Sequence, residues 1–472
     1  MESLMSYKEL SRVPGLRLFT GEGKQDAASG SFSSVAIDSR SVVQGALFIA
    51  LKGAANDGHR FLEAAFIAGA SGAMVSFSAL ENPDLGVSAL AKKYNRVLVA
   101  APDTLKGFQN AATAYLKGFP ALVRIGITGS VGKTTTKEIA AAMIAQEKRV
   151  VMNEGNLNSE TGLPLSVFNV RASHEYGVFE AGINHPGEML DLAKILNPRI
   201  ALITNIGSAH IGILGSRQAI AEEKKKFFSE FDGSNTAMIP MDDDFRDFLA
   251  KDVSGKIVFY RGSSLPPFGG ARDLGLLGTE IIWDGVPVRF SLPGKFNLNN
   301  ALTAAALAME LNLSSSSIRG GFESVKPIFG RMEIFRGRVT LVRDCYNANP
   351  EGVEAALDFF DPIEWQGRKV FVMGSMLEMG AQSDEVHTIL GKRLASCKGD
   401  MFFLYGEEMR AAADILKAEK IPFLHTQDMG ELSAALDAYL KKGDLVLLKG
   451  SRAYAMEELT GVITGPGAEH VS

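Results

Sequence analysis

Two cysteines, Cys345 and Cys397, in a chain of 472 residues are too few for a disulfide framework and point to a reducing compartment. The chain has no run of about 18 apolar residues, so no membrane insertion is expected. Residues 1–10 carry Glu2 and Glu9 and lack the apolar stretch of a signal peptide, which makes a cytoplasmic location the expectation. Basic residues are not in excess: 49 Lys and Arg stand against 54 Asp and Glu, a formal net charge of -5. That balance argues against a general nucleic-acid binder and leaves room for a local basic pocket. Neither an internal repeat nor a disordered tract stands out. What remains is 46% hydrophobic and 22% charged, an ordinary globular composition with length for about two to four domains.

Three regions are expected, 1–102, 103–327 and 328–472. In the first, apolar runs such as Ala46–Leu51 and Gly72–Ser76 alternate with Ala-rich helical stretches, and Phe61–Gly69 reads as a helix stopped by its glycine. In the second, a helix near 104–117 precedes the strand 122–128, a glycine loop and a helix from Lys133; further buried strands are expected at 176–180 and 200–205. The Gly- and Pro-rich stretch 263–278 reads as loops before a hairpin around Asp284-Gly285. The third region alternates strands (339–344, 369–374, 401–405, 444–449) with helical patterns. This order implies a doubly wound parallel sheet with ligands at the strands' carboxyl ends.

The most informative residues are Thr128-Gly-Ser-Val-Gly-Lys-Thr-Thr135. Between a strand and a helix, the N–H groups of Gly129, Ser130, Val131 and Gly132 can cradle phosphate oxygens. Lys133 can reach the terminal phosphates, and the Thr134 hydroxyl suits Mg²⁺. Ile127 stands where the stricter phosphate-loop pattern has its first glycine. A GTPase would add a guanine-reading Asn-Lys-x-Asp, and none is found. Downstream, Glu180 ends a strand, His210 follows another, and Lys224 lies in a charged helical run starting near Arg217. Taken singly, these read as a rim carboxylate, an exposed histidine and a solvated helix face.

Their order is another matter. The loop resembles those of Mur ligases and folylpolyglutamate synthetases, which activate a carboxylate as an acyl phosphate and form an amide. A strand-end Glu, Asn-Ile-x-x-x-His, and a Lys fourteen residues later resemble the Mur ligase central domain. The resemblance implies ATP and two Mg²⁺: Thr134 and Glu180 for one ion, His210 and a carbamylated Lys224 for the other. Register selects Lys224 over Lys225 and Lys226. It further implies that Asn297 and Asn300 contact adenine, with Phe296 in place of the usual His, and that Arg331 reaches the γ-phosphate.

Asp344-Cys-Tyr-Asn-Ala-Asn-Pro350 resembles the mark of the Mur ligases that add D-alanyl-D-alanine, with Cys345 in place of an Asp. Asp344, Tyr346 and Asn347 would then lie at the nucleotide, and Asn349 at the substrate. Gly374–Gly380, with Ser375 and Met379 as departures, and His387 carry the same likeness. Lys449, Ser451 and Arg452 suit the incoming peptide carboxylate, Ser39 and Arg40 the UDP portion, and Asn156 and Asn158 the substrate loop. The fold implied is α/β with three domains: a small UDP-binding domain, a central P-loop domain and a Rossmann-like C-terminal domain. The partners implied are UDP-N-acetylmuramoyl-tripeptide and D-alanyl-D-alanine, handled by a monomer. Alternatives are the relative that adds diaminopimelate or lysine and a folylpolyglutamate synthetase-like ligase. Asn197-Pro-Arg199 resembles the diaminopimelate signature, yet it precedes a central-domain strand and is expected to end a helix.

Overall fold

The computed structural model describes residues 3–19, 30–53 and 56–471. Three larger α/β sheets follow one another along the chain. The first holds Arg17–Phe19, Val97–Ala101, Gly72–Ser76, Ala46–Ile49 and Ser34–Ala36 in that spatial order. Its inner strands are apolar on both faces, as parallel strands covered by helices must be. The helix Thr104–Lys117 leads out of this sheet, its first turn capped by Asp103 Oδ1, which accepts from Lys106 N at 2.9 Å.

The second sheet is six-stranded and all parallel, in the order Lys256–Tyr260, Thr236–Pro240, Ile200–Ile203, Val123–Thr128, Tyr176–Glu180, Val150–Met152. Val123–Thr128 lies inside it, so the loop that follows opens between the carboxyl ends of two neighbours. One neighbour ends in Glu180, and the other runs on to Asn205. Asn197 ends the helix Glu188–Leu196 in a left-handed conformation (φ 40°), as expected. The segment 263–278 departs from its loop reading. Phe268–Asp273 is an edge strand of an antiparallel three-stranded sheet, irregular at Phe268–Gly270 where the glycines weakened the strand signal. The hairpin turn does fall at Asp284-Gly285, both at positive φ. Trp283 and Phe290 of this small sheet pack edge-on against Phe322, in one buried cluster with Ile125 and Ile127 of the strand before the phosphate loop. Each such buried side chain contributes about 1.5–3 kcal/mol, enough to hold that strand rigidly.

In the third sheet Phe423–Thr426, Met401–Tyr405, Lys369–Gly374, Leu445–Lys449 and Thr340–Asp344 are parallel. Glu333–Arg336 and Glu469–Val471 add an antiparallel edge that the sequence reading missed. The last parallel strand inserts between two earlier ones and sets Asp344 opposite Lys449. The architecture is α/β in three parts, as the sequence implied. Among the described residues no helix is long and apolar enough to cross a membrane.

Candidate functional site

Residues 128–135 form a turn between the strand Val123–Thr128 and the helix Lys133–Ile144. The helix begins at Gly132, at φ 85° and with no side-chain cap, so its first N–H groups face outward. A side chain at Gly132 would overlap the Asn300 amide, which packs directly on the loop. The loop is braced from behind by Thr204, which the sequence reading did not single out, and by Asn205, which it gave only as the first residue of Asn-Ile-x-x-x-His. Asn205 accepts from Val131 N (3.0 Å) and donates to Val131 O (2.9 Å), and Thr204 Oγ1 donates to the same carbonyl (2.7 Å). Their signal was the Asn that ends the strand reading, a residue type able to bond both faces of one peptide unit.

Thr134 Oγ1 donates to Glu180 Oε2 at 2.7 Å, and both side chains are buried. Asn158 donates to the other carboxylate oxygen at 2.6 Å. Asn153, also unanticipated, pins Glu180 through its backbone N and O (2.8 and 3.0 Å). Thr134 and Glu180 thus offer hard oxygen donors at a helix N-terminus, the chemistry a nucleotide-bound Mg²⁺ takes. Asn156 is exposed in the turn of the same loop.

The three consecutive lysines separate cleanly. Lys224 is buried and donates to Gly129 O at 2.9 Å, whereas Lys225 donates to Phe248 O and Lys226 to Glu223. Gly126 has no side chain and admits the Phe227 ring, one turn beyond Lys224 on the same face, against the phosphate-loop strand. Burial drives the Lys224 ammonium well below its ordinary pKa, and the nearby Lys133 charge adds to this. Burial also lowers the Lys133 pKa; its ammonium donates to Gly129 O (2.9 Å) and Ser130 O (3.3 Å). His210, expected to share a metal ion with Lys224, sits at φ 65° with Nδ1 2.7 Å from Glu378 Oε2 of the third region. Among the described residues, no three or more His, Cys, Asp or Glu side chains converge as a metal cage.

A cavity of about 100 Å³ lies between the central and third sheets. Its walls include the loop from Ser130 to Thr135, Asn297 and Asn300, with Arg331, Asp344, Asn347, Asn349 and Lys449 opposite. Arg331 donates to Thr134 Oγ1 at 2.9 Å and stacks 4.4 Å from the Tyr346 ring centroid. Asn297 is buried and donates to Pro293 O at 2.8 Å, which leaves Asn300 nearer the loop.

Lys449, expected near the incoming peptide carboxylate, lines the cavity between the two sheets. It is buried on this cavity, 2.9 Å from Asp344 Oδ2 and 2.6 Å from Asn347 O, because parallel register sets it opposite Asp344. Asn349 caps the helix Pro350–Phe360 by accepting from Gly352 N at 2.8 Å. Ser451 is buried and donates to Ser375 O (2.8 Å), and Arg452 pairs with Glu457. Arg40 is exposed and pairs with Asp38, with Ser39 in the same short turn. Cys345 is buried, which pushes its thiol up to about 11.

Residues 31–112 match the Mur ligase family catalytic domain, 127–308 the Mur ligase middle domain, and 330–452 the Mur ligase glutamate ligase domain. The UDP-N-acetylmuramoyl-tripeptide--D-alanyl-D-alanine ligase of Treponema pallidum (strain Nichols) is 41% identical over 97% of this chain and 98% of its own. Its counterpart from Bacillus subtilis (strain 168) is 32% identical over 90% and 92%. Among solved structures, MurF from Acinetobacter baumannii superposes with a TM-score of 0.84 at 26% identity, covering 98% of this chain and 99% of that one. MurF ligase from Thermotoga maritima in complex with ADP gives 0.76 at 26% identity, covering 93% and 98%. With three family domains matched in order around a phosphate-loop site, the chain belongs to the Mur ligase family.

Proposed function

We propose that this chain joins D-alanyl-D-alanine to UDP-N-acetylmuramoyl-tripeptide at the expense of ATP, forming ADP and phosphate, in peptidoglycan precursor synthesis. The observation that carries the reading is the cavity where the phosphate loop meets Arg331, Asp344 and Asn347 of the third domain. The domain division at 102/103 and 327/328, a cytoplasmic location and a monomeric state go with it. The tripeptide carboxylate attacks the γ-phosphorus, ADP leaves, and the dipeptide amine displaces phosphate from the acyl phosphate. Lys133 and Arg331 offset charge on the transferring phosphoryl group. Asp344 and Asn347 face the nucleoside, and Asn300 stands at the adenine end. Closure of the third domain excludes water that would hydrolyse the activated carboxyl group.

Thr134 and Glu180 would hold one Mg²⁺, and His210 and Lys224 the second after carbamylation; bound Mg²⁺ polarises phosphoryl oxygens. Carbamylation needs a neutral amine, which adds to CO₂ and releases a proton. The burial that depresses the Lys224 ammonium supports that step, and a carbamate there would face the Lys133 cation. Ser451 and Arg452 at a strand's carboxyl end support a dipeptide site there. Ser39 and Arg40 support UDP binding in the first domain, and Asn156 and Asn158 the substrate loop.

The test offers purified protein and ATP with one of two substrate pairs: tripeptide precursor plus D-alanyl-D-alanine, or dipeptide precursor plus diaminopimelate or lysine. Mass spectrometry should find a pentapeptide product from the first pair and essentially none from the second. Product from the second pair alone would overturn the substrate assignment.

A further inference from the structure

The third domain touches the central one at a second place, away from the nucleotide cavity. Glu351 is the residue after Pro350, in the first turn of the helix Pro350–Phe360. Its carboxylate accepts from Ser208 N (2.7 Å) and Ser208 Oγ (2.9 Å), so both oxygens are used on one residue across the domain boundary. A Cβ at Gly207 would meet Glu351 Oε1 at 2.9 Å and Ser130 Cβ at 3.2 Å, so the carboxylate packs closely against this glycine. The same short segment holds the phosphate loop. Gly207 N donates to Ser130 Oγ at 2.8 Å, and Ser130 N donates to Asn205 O at 3.0 Å. Close by, Gly212 N donates to Glu378 O at 2.9 Å. The helix that carries Glu351 also gives Gly352 and Ala355 to the nucleotide cavity, and its N-cap Asn349 lines the same cavity.

We infer that Glu351 is a positioning residue: it latches the third domain onto the segment that braces the phosphate loop and so sets the width of the nucleotide cavity. It touches no reacting atom. A carboxylate is the right group because both donors on Ser208 need acceptors. An acid in the first turn also suits the positive end of its own helix. The two halves of the latch lie in different domains, so it breaks if those domains move apart. In consequence, it would resist opening while the activated carboxyl group awaits the amine. This inference rests on the ligase reading for its kinetic readout alone.

The experiment compares wild type, Glu351→Gln and Ser208→Ala as full-length protein. In Glu351→Gln the amide oxygen still accepts from Ser208 N and the amide N–H donates to the Ser208 hydroxyl, so the charge is lost and two charge-assisted bonds become neutral ones. ATP KM should rise and product turnover fall, each by about tenfold, and phosphate released should exceed amide formed. Ser208→Ala keeps the backbone bond and should lose about threefold. Melting temperatures should stay within about 2 °C of wild type, because Glu351 is exposed at a helix start. Small-angle X-ray scattering supplies a readout without turnover: ADP and Mg²⁺ should contract wild type and leave Glu351→Gln extended. If wild type makes no pentapeptide, the substrate reading fails and scattering still decides the latch. A Glu351→Gln protein that contracts like wild type overturns the inference, as does one with unchanged KM and a phosphate-to-amide ratio of one.

Discussion

The central and third domains both carry polar side chains at the carboxyl ends of parallel strands, yet they hold them differently. In the central domain, Thr134, Glu180 and Lys224 converge on one short loop, and the strand beneath it is locked by the cluster around Trp283 and Phe290. In the third domain, Lys449, Ser451 and Arg452 are taken up by Asp344, Ser375 and Glu457 of the same domain. A contiguous motif carries its own geometry, because one turn of backbone sets where its N–H groups point. Residues on separate strands meet whatever the register puts beside them.

The sharpest way to break this comparison is at its rigid end. Lys133→Ala should lower product formation by about 10³-fold, because a preorganised cation aimed at transferring phosphate is removed. Near-normal product would take the phosphate role away from the central loop. Lys224→Arg should lower turnover by at least about 10²-fold, since arginine stays cationic and forms no carbamate. An active Lys224→Arg enzyme, or a well-resolved crystal structure with a plain ammonium at 224 beside bound nucleotide and Mg²⁺, would refute carbamylation.

Effects should shrink as the changed group moves to the third domain. Arg331→Lys keeps the charge and loses both the planar stack on Tyr346 and the fork geometry. Turnover should fall by about tenfold, and an unchanged rate would show that the contact across the boundary needs only charge. The smallest effect concerns stability alone. His387 is buried, accepts from Met376 N at Nε2 (3.0 Å) and donates from Nδ1 to Ser383 O (2.7 Å), and burial lowers its pKa from 6.5. The unfolded chain takes up the proton first, so the contribution is whole above the unfolded value. It is lost as pH falls below about 6.5 toward the folded pKa. Melting curves from pH 7.5 to 5 should slope downward in wild type and less steeply in His387→Gln. Parallel slopes would mean that this histidine is protonated at no cost.

Much of the molecule was legible in order. The strands 369–374 and 401–405, the helix from Lys133 and the turn at Asp284-Gly285 lie where hydropathy and turn chemistry put them. The antiparallel edge formed by Glu333–Arg336 and Glu469–Val471 was not, because short strands with polar residues carry little periodicity. Nor was Phe268–Asp273, where two glycines dilute the signal. Among site residues, Asn153 was missed because nothing in its sequence neighbourhood tells a buried Asn that braces a backbone from an exposed one, and Asn205 was read only as part of Asn-Ile-x-x-x-His.

By itself, the sequence determined the phosphate loop, the α/β alternation and the family likeness, since each depends on residues close together in the chain. The family register picked out Lys224 among three adjacent lysines, but only the tertiary structure decided that it meets Gly129, for that depends on Phe227 packing into the space left by Gly126. It also decided that Lys449 faces Asp344, that His210 meets Glu378 and that Glu351 grips Ser208. Those partners lie far apart in sequence, and sheet register and domain docking, to which local patterning is blind, bring them within hydrogen-bond distance.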